Sequence, residues 1–281
     1  VFMCLADSLK QAPKAGSDAA DVMWVPLSKV PDLAFEHNYF VEIAAKNLDT
    51  ANKSDIDIKA IHGSKKTNRG TLIVFEGLDG AGKSSQVEAL EHYLRKSGHQ
   101  FVTTSWASSK LFKRSIKAAK EEHITPELYS MLHMTDMHER YSNQILENLA
   151  QDKIVICDRY IYTSFARDIP RGVNPQILLS GYGNFRKPDL IFWCKCPIST
   201  TVDRLIKKGG KGLGYYGSGQ DMHLDSDPIK NLTKYQKLVN DVYSKIMPQV
   251  GAISINTDKK IKKAAIEVLS KVTEFLEKKE D

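Results

Sequence analysis

TLIVFEGLDGAGKSSQVEAL, residues 71–90, is the stretch that decides the fold. An apolar run of strand length ends at Gly77. Four residues later come Gly82, Lys83 and Ser84, and a helical spacing of apolar residues follows. Strand, glycine loop and helix in that order make a phosphate cradle, or P-loop. Glycines let the backbone curl into a nest of N–H donors, and the helix start turns its positive end to the same anion. Gly77, Gly80, Gly82, Lys83, Ser84 and Ser85 are therefore the nucleotide-binding candidates. Lys83 is expected to reach the β- and γ-phosphates, and the Ser84 hydroxyl to ligate Mg²⁺. The competing reading is a chance glycine-rich turn, and the full template in its strand–helix context argues against it.

Outward from this loop, short apolar runs at 71–76, 101–105, 153–158, 189–194 and 252–256 suit strands buried on both faces of a parallel sheet. Between and after them, 82–97, 126–151, 198–208, 228–249 and 261–279 carry spaced apolar residues and few breakers, which predicts helices. Strands alternating with helices predict a doubly wound α/β sheet. No internal repeat of fixed period is evident, which excludes a solenoid.

The 281 residues suffice for one full core plus an appendage. The polar segment 54–70 reads as a linker, dividing the chain into 1–53, 54–70 and 71–281. The chain opens on VFMCLA without the charged start of a secretion signal and reads as a sequence entered midway. Apolar residues make up 42%, and no run approaches the roughly 18 needed to span a bilayer, so a cytoplasmic protein is expected. The net charge of +6 implies an anion preference. Its lysine runs near 64–66, 207–211 and 259–263 read as solvated faces, so no nucleic-acid or membrane partner is expected. Cys4, Cys157, Cys194 and Cys196 lack CxxC spacing, and the histidines lack paired ligand spacing. Free thiols and no transition metal are expected.

Two further stretches carry chemistry. KIVICDRYIYTSFARD (153–168) brings Asp158 and Arg159 to the carboxyl end of a strand, the edge where open α/β sheets bind ligands. Asp158 is the candidate carboxylate for Mg²⁺, and the Arg159 fork suits a phosphate. A structural Asp–Arg pair is the alternative. RLIKKGGKGLGYYGSGQDMHLDSD (204–227) is glycine-dense and basic, so Arg204, Lys207, Lys208 and Lys211 are candidate lid cations; a polar surface loop is the competing reading.

FEGLDGAGKSSQ (75–86), DRY (158–160) and PDLIFWCKCP (188–197) together resemble thymidylate kinase, over roughly residues 70–275. The resemblance implies a five-stranded parallel sheet of nucleoside monophosphate kinase type, a closing lid and a homodimer. It also implies ATP and Mg²⁺, with in-line transfer of the γ-phosphoryl group to the phosphate of dTMP. Carried across, Lys83, Asp158, Arg159 and Asp79 are the catalytic candidates, Asp79 approaches the acceptor sugar and Arg159 holds the acceptor phosphate.

The departures lie on the acceptor side. TTSWASSKLFKR (103–114) replaces the family's REPGGT-like stretch, leaving Lys110 or Arg114 as substitutes for its arginine, or as helix-surface residues. His133 and Met137 stand where the family has an aromatic residue and an arginine that read thymine. Arg140, one turn on, could reach the same face. Ala166-Arg167-Asp168 replaces an AYQ-like triplet, so the acceptor set is Asp79, Arg159, His133, Arg140 and Arg167. A small-molecule kinase with a non-nucleotide acceptor and a nucleotide-binding regulatory module are the alternative functions. Residues 7–48 resemble the C-terminal end of a Nudix hydrolase, a small α/β piece without the Nudix box, so no pyrophosphohydrolase chemistry carries over.

Overall fold

All six residues of β1 (Thr71–Glu76) are buried, as expected of a strand covered on both faces. The computed structural model describes residues 57, 58, 62, 69–208 and 214–280, which belong to the unit Ile56–Asp281. In chain order, β1 leads to α1 (Lys83–Lys96), β2 (Phe101–Ser105), α2 (Lys113–Glu121) and α3 (Pro126–Arg140). A π-helical turn, Tyr141–Leu146, and one α-turn, Glu147–Ala150, continue α3. Then come β3 (Ile154–Asp158), α4 (Tyr162–Asp168), α5 (Pro175–Tyr182), β4 (Leu190–Lys195), α6 (Ile198–Lys207), α7 (Pro228–Ile246), β5 (Ile253–Asn256) and α8 (Ile261–Glu280).

The strands form one parallel sheet in the order β2-β3-β1-β4-β5. This is the expected doubly wound α/β architecture. Leaving β1, the chain moves to one side of the sheet, and leaving β3 it moves to the other. With right-handed crossovers the two connections lie on opposite faces, and a crevice opens between the carboxyl ends of β1 and β3. The register pairs Phe75 with Asp158, so the glycine loop and Asp158-Arg159 leave the sheet side by side. Phe75 stacks on Phe192 of β4 at 5.2 Å, filling the core beneath that edge.

The helices start where local chemistry dictates. Thr125, Asn174 and Asp227 cap α3, α5 and α7 by accepting first-turn N–H groups, and each is followed by proline at the first helical position. Helix α1 buries Val87, Leu90 and Leu94 along one stripe and packs on α8, where the Tyr93 and Thr273 hydroxyls hydrogen-bond at 2.8 Å. Within the 54–70 stretch, Ile58 is buried in the main core and its N–H donates to Gln249 Oε1 at 2.9 Å. The Nudix-like segment 1–53 lies outside the described residues. Among the described residues no helix is long and apolar enough to cross a membrane.

Candidate active site

Glycine is required in the loop for steric as well as conformational reasons. Gly77 has φ +137° and Gly80 φ +82°; a Cβ on either would sit 2.4 Å from Cys194 O or 2.6 Å from Thr201 O. The loop therefore lies flush on β4 and α6 and delivers Lys83 and Ser84 as the first residues of α1. Lys83 Nζ donates to Gly77 O and Leu78 O at 3.1 and 2.8 Å. Burial and then the Arg159 charge push its pKa down to about 8, against the pull of Asp79 and Asp158. Ser84 Oγ donates to Asp158 Oδ2 at 3.2 Å.

A cleft of about 360 Å³ opens here, lined by Asp79, Gly80, Gly82, Lys83, Ser84, Ser85, Asp158, Arg159, Arg204 and Lys208. The structure thus brings the donor-side candidates together, except that Gly77 lies just below, against Arg159. The other carboxylate oxygen, Asp158 Oδ1, is buried without a hydrogen-bond partner among the described residues. A hydroxyl plus one carboxylate with a free lone pair fits Mg²⁺, which takes few protein ligands and keeps water and substrate phosphates for the rest.

Arg204 belongs to α6 instead of a lid. Its guanidinium is fixed by Gly80 O at 3.2 Å and Thr257 O at 3.0 Å. Lys207 is exposed and absent from the clefts, Lys208 lines them, and Lys211 lies outside the described residues. Thr257 and Ile261, which also line the donor cleft, gave no sequence signal because they follow β5 far along the chain.

Arg159 stands at φ +78°, an uncommon position for a side chain with a Cβ. A buried network holds it there: Nη1 donates to Gly77 O (3.0 Å), Thr163 Oγ1 (3.2 Å) and the Tyr243 hydroxyl (3.3 Å). Thr163 and Tyr243 in turn donate to Glu76 Oε2 at 2.7 and 2.8 Å. Burial raises the Glu76 pKa, with Arg159 opposing. Sequence reading missed Glu76, which looked like the last residue of an apolar strand.

Asp79 lines both the first cleft and a second one. One carboxylate oxygen pairs with Arg159 and the other with Arg167. Burial works to raise its pKa, but Arg167, Arg159 and Lys83 hold it well below the usual carboxylate range. A second cleft of about 450 Å³ begins at Asp79 and Gly80 and is lined by Lys120, Arg167, Lys208, Tyr215 and Tyr216, among others. Tyr216 is fixed by stacking on Tyr129 at 4.0 Å and by donating to Ile124 O at 2.8 Å.

The remaining acceptor candidates scatter. His133 is sandwiched in a buried cluster, stacked on Trp106 at 5.2 Å and edge-on to Tyr129 at 4.6 Å. Burial, then the Arg167 charge, drives its pKa well below 6.5, so the ring is neutral. Arg140 does not reach a cleft. It is completely buried and spends its donors on Asp136 (2.9 Å), Thr104 Oγ1 (3.3 Å) and Met137 Sδ (2.9 Å). Asp136 sits four residues before it on the same helix face and captures it. Lys110 and Arg114 are exposed and line neither cleft.

A strand-order reversal at a phosphate cradle, with a basic cleft opening beside it, defines a P-loop phosphotransferase of the nucleoside monophosphate kinase type. Residues 75–266 match the family model described as Thymidylate kinase, and the chain belongs to that family. It is 31% identical over 211 residues to "Probable thymidylate kinase 2" of Saccharolobus solfataricus, covering 74% of this chain and 98% of that protein. A "Probable thymidylate kinase" of Pyrococcus horikoshii is 30% identical over 148 residues, 50% of this chain and 72% of that protein. "Thymidylate kinase" of Akkermansia muciniphila is 29% identical over 143 residues, covering 50% and 69%.

Proposed function

We propose that the chain transfers the γ-phosphoryl group of ATP to the phosphate of dTMP, giving dTDP and ADP. The observation that carries this reading is the meeting of two clefts at Asp79, Gly80 and Lys208. A triphosphate laid along the glycine loop ends where the second cleft begins. An oxygen of the acceptor phosphate forms the new P–O bond as the bond between γ-phosphorus and the β–γ bridging oxygen breaks, and ADP departs with that electron pair. The acceptor oxygen is already anionic, so no protein base is needed, and positioning and charge neutralisation carry the rate. Lys83 and the positive end of α1 hold the donor phosphates, and Arg167 faces the acceptor. Arg159, which lines the first cleft, meets the acceptor side through the Asp79 carboxylate it shares with Arg167. Ser84 and Asp158 would hold Mg²⁺, which supplies charge neutralisation on the β- and γ-phosphates when bound.

The same reading includes a homodimer, supported by Leu128 and Met131, two half-exposed apolar residues one turn apart on α3. It also includes a reducing, cytoplasmic setting, supported by the free thiols of Cys157, Cys194 and Cys196. The deciding experiment supplies ATP, Mg²⁺ and a panel of nucleoside monophosphates and follows ADP release. Turnover is expected to be fastest with dTMP. ATP binding without turnover of any monophosphate sinks the proposal.

A further inference from the structure

The second cleft has a charge imbalance. Its described lining carries Lys120, Arg167 and Lys208 against a single carboxylate, Asp79, a surplus of positive charge. Asp79 is already divided between Arg167 and Arg159. Arg167 gives one amino group to Asp79 and has no other side-chain partner among the described residues. Lys120 has no hydrogen bond or ion pair among them, although it lines the cleft. The Lys120 side chain is exposed at the rim of the cleft; partial desolvation of its ammonium, and then the neighbouring Arg167 charge, lower its pKa, while Asp79 pulls the other way. Two cations thus face the same space and repel each other, a strain that a dianion between them would relieve.

The local fold holds Lys120 in this place. It sits in the last turn of α2, where the negative helix end favours a cation. The chain just beyond is fastened to the opposite wall: Ile124 O accepts from Tyr216, and His123 stacks on Tyr215 at 3.9 Å.

We infer that Lys120 is a substrate-binding residue that, with Arg167, grips the dianionic phosphate of the acceptor. This rests on the acceptor-cleft reading above and adds a residue that lies on no recognised motif. The experiment is calorimetric titration of wild type, Lys120→Met and Lys120→Arg with four probes: dTMP, thymidine, inorganic phosphate and a non-hydrolysable ATP analogue with Mg²⁺. Lys120→Met is expected to weaken dTMP binding roughly tenfold to hundredfold, the scale of a lost charged hydrogen bond. Thymidine and the ATP analogue should bind as before, and Lys120→Arg should retain most of the dTMP affinity. Unchanged dTMP binding in Lys120→Met overturns the inference, as does an equal loss with thymidine or a loss confined to the ATP analogue. If wild type binds no dTMP, the dTMP reading fails on its own. Inorganic phosphate then still reports on Lys120, and equal phosphate affinity in wild type and Lys120→Met would reject its role.

Discussion

The donor and acceptor clefts share Asp79, Gly80 and Lys208, yet they are made in different ways. The donor cleft is mainly backbone: glycine N–H groups and a helix start fixed by the contiguous run 77–85, with Asp158 alongside. The acceptor cleft is mainly side chains drawn from α2, α4 and the loop at 214–217. Backbone chemistry survives substitution of neighbouring side chains, whereas a side-chain constellation can be rebuilt from other positions. The difference explains how the phosphate cradle keeps its template while the stretch 103–114 departs from the family pattern.

Three measurements would break or sharpen this contrast. The largest effect is expected from Lys83→Ala, which should lower kcat roughly 10²–10³-fold while far-UV circular dichroism and dTMP affinity stay as in wild type. An active variant would remove the donor assignment. Next, Arg167→Ala should raise the KM for dTMP by about tenfold or more with the KM for ATP nearly unchanged. Equal rises in both would erase the distinction between the clefts.

The smallest effect concerns pH. Asp168, behind the acceptor wall, accepts from Ser130 at 2.7 Å, and burial raises its pKa to about 6. Asp79 lies far below that and stays largely ionised in both folded and unfolded chain between pH 4 and 6, so of these two carboxyls only Asp168 responds in that window. When the chain unfolds, Asp168 returns to about 3.9. Between these two values the unfolded chain ionises first, so the contribution of Asp168 to stability is full below pH 4 and is lost as pH rises through 6. Melting curves of wild type and Asp168→Asn should therefore differ in slope between pH 4 and 6 and run parallel above it. Identical slopes would show that Asp168 does not titrate there.

The fold was legible because its strands are continuous apolar runs and its longer helices carry spaced apolar residues with few breakers; the cap–proline pairs Thr125-Pro126 and Asp227-Pro228 mark where two of them begin. Strand ends came within a residue of those observed. Helix α2 escaped because only Ile116 and Ala119 of its nine residues are buried, so its apolar stripe is too thin to see. Helix α4 escaped for the opposite reason: nearly every residue is buried, leaving no polar face to mark a period. The eight-residue α5 was missed as well; of the three, α2 and α4 carry Lys120 and Arg167, which is why the acceptor side was read less completely than the donor side. Arg140 misled because spacing alone cannot tell a side chain aimed at a ligand from one captured by Asp136.

Arg171 gives the acceptor half a mode of inheritance. All five of its N–H donors are engaged: Asp221 twice, Tyr216 O, Tyr235 OH and Arg167 O. One guanidinium therefore rivets the segment after the DRY triplet to the segment after α6. Grafting either segment alone into a relative would strand half of those bonds in a buried place. New acceptor preferences are thus expected to move between relatives as one cassette, residues 167–171 together with 215–221.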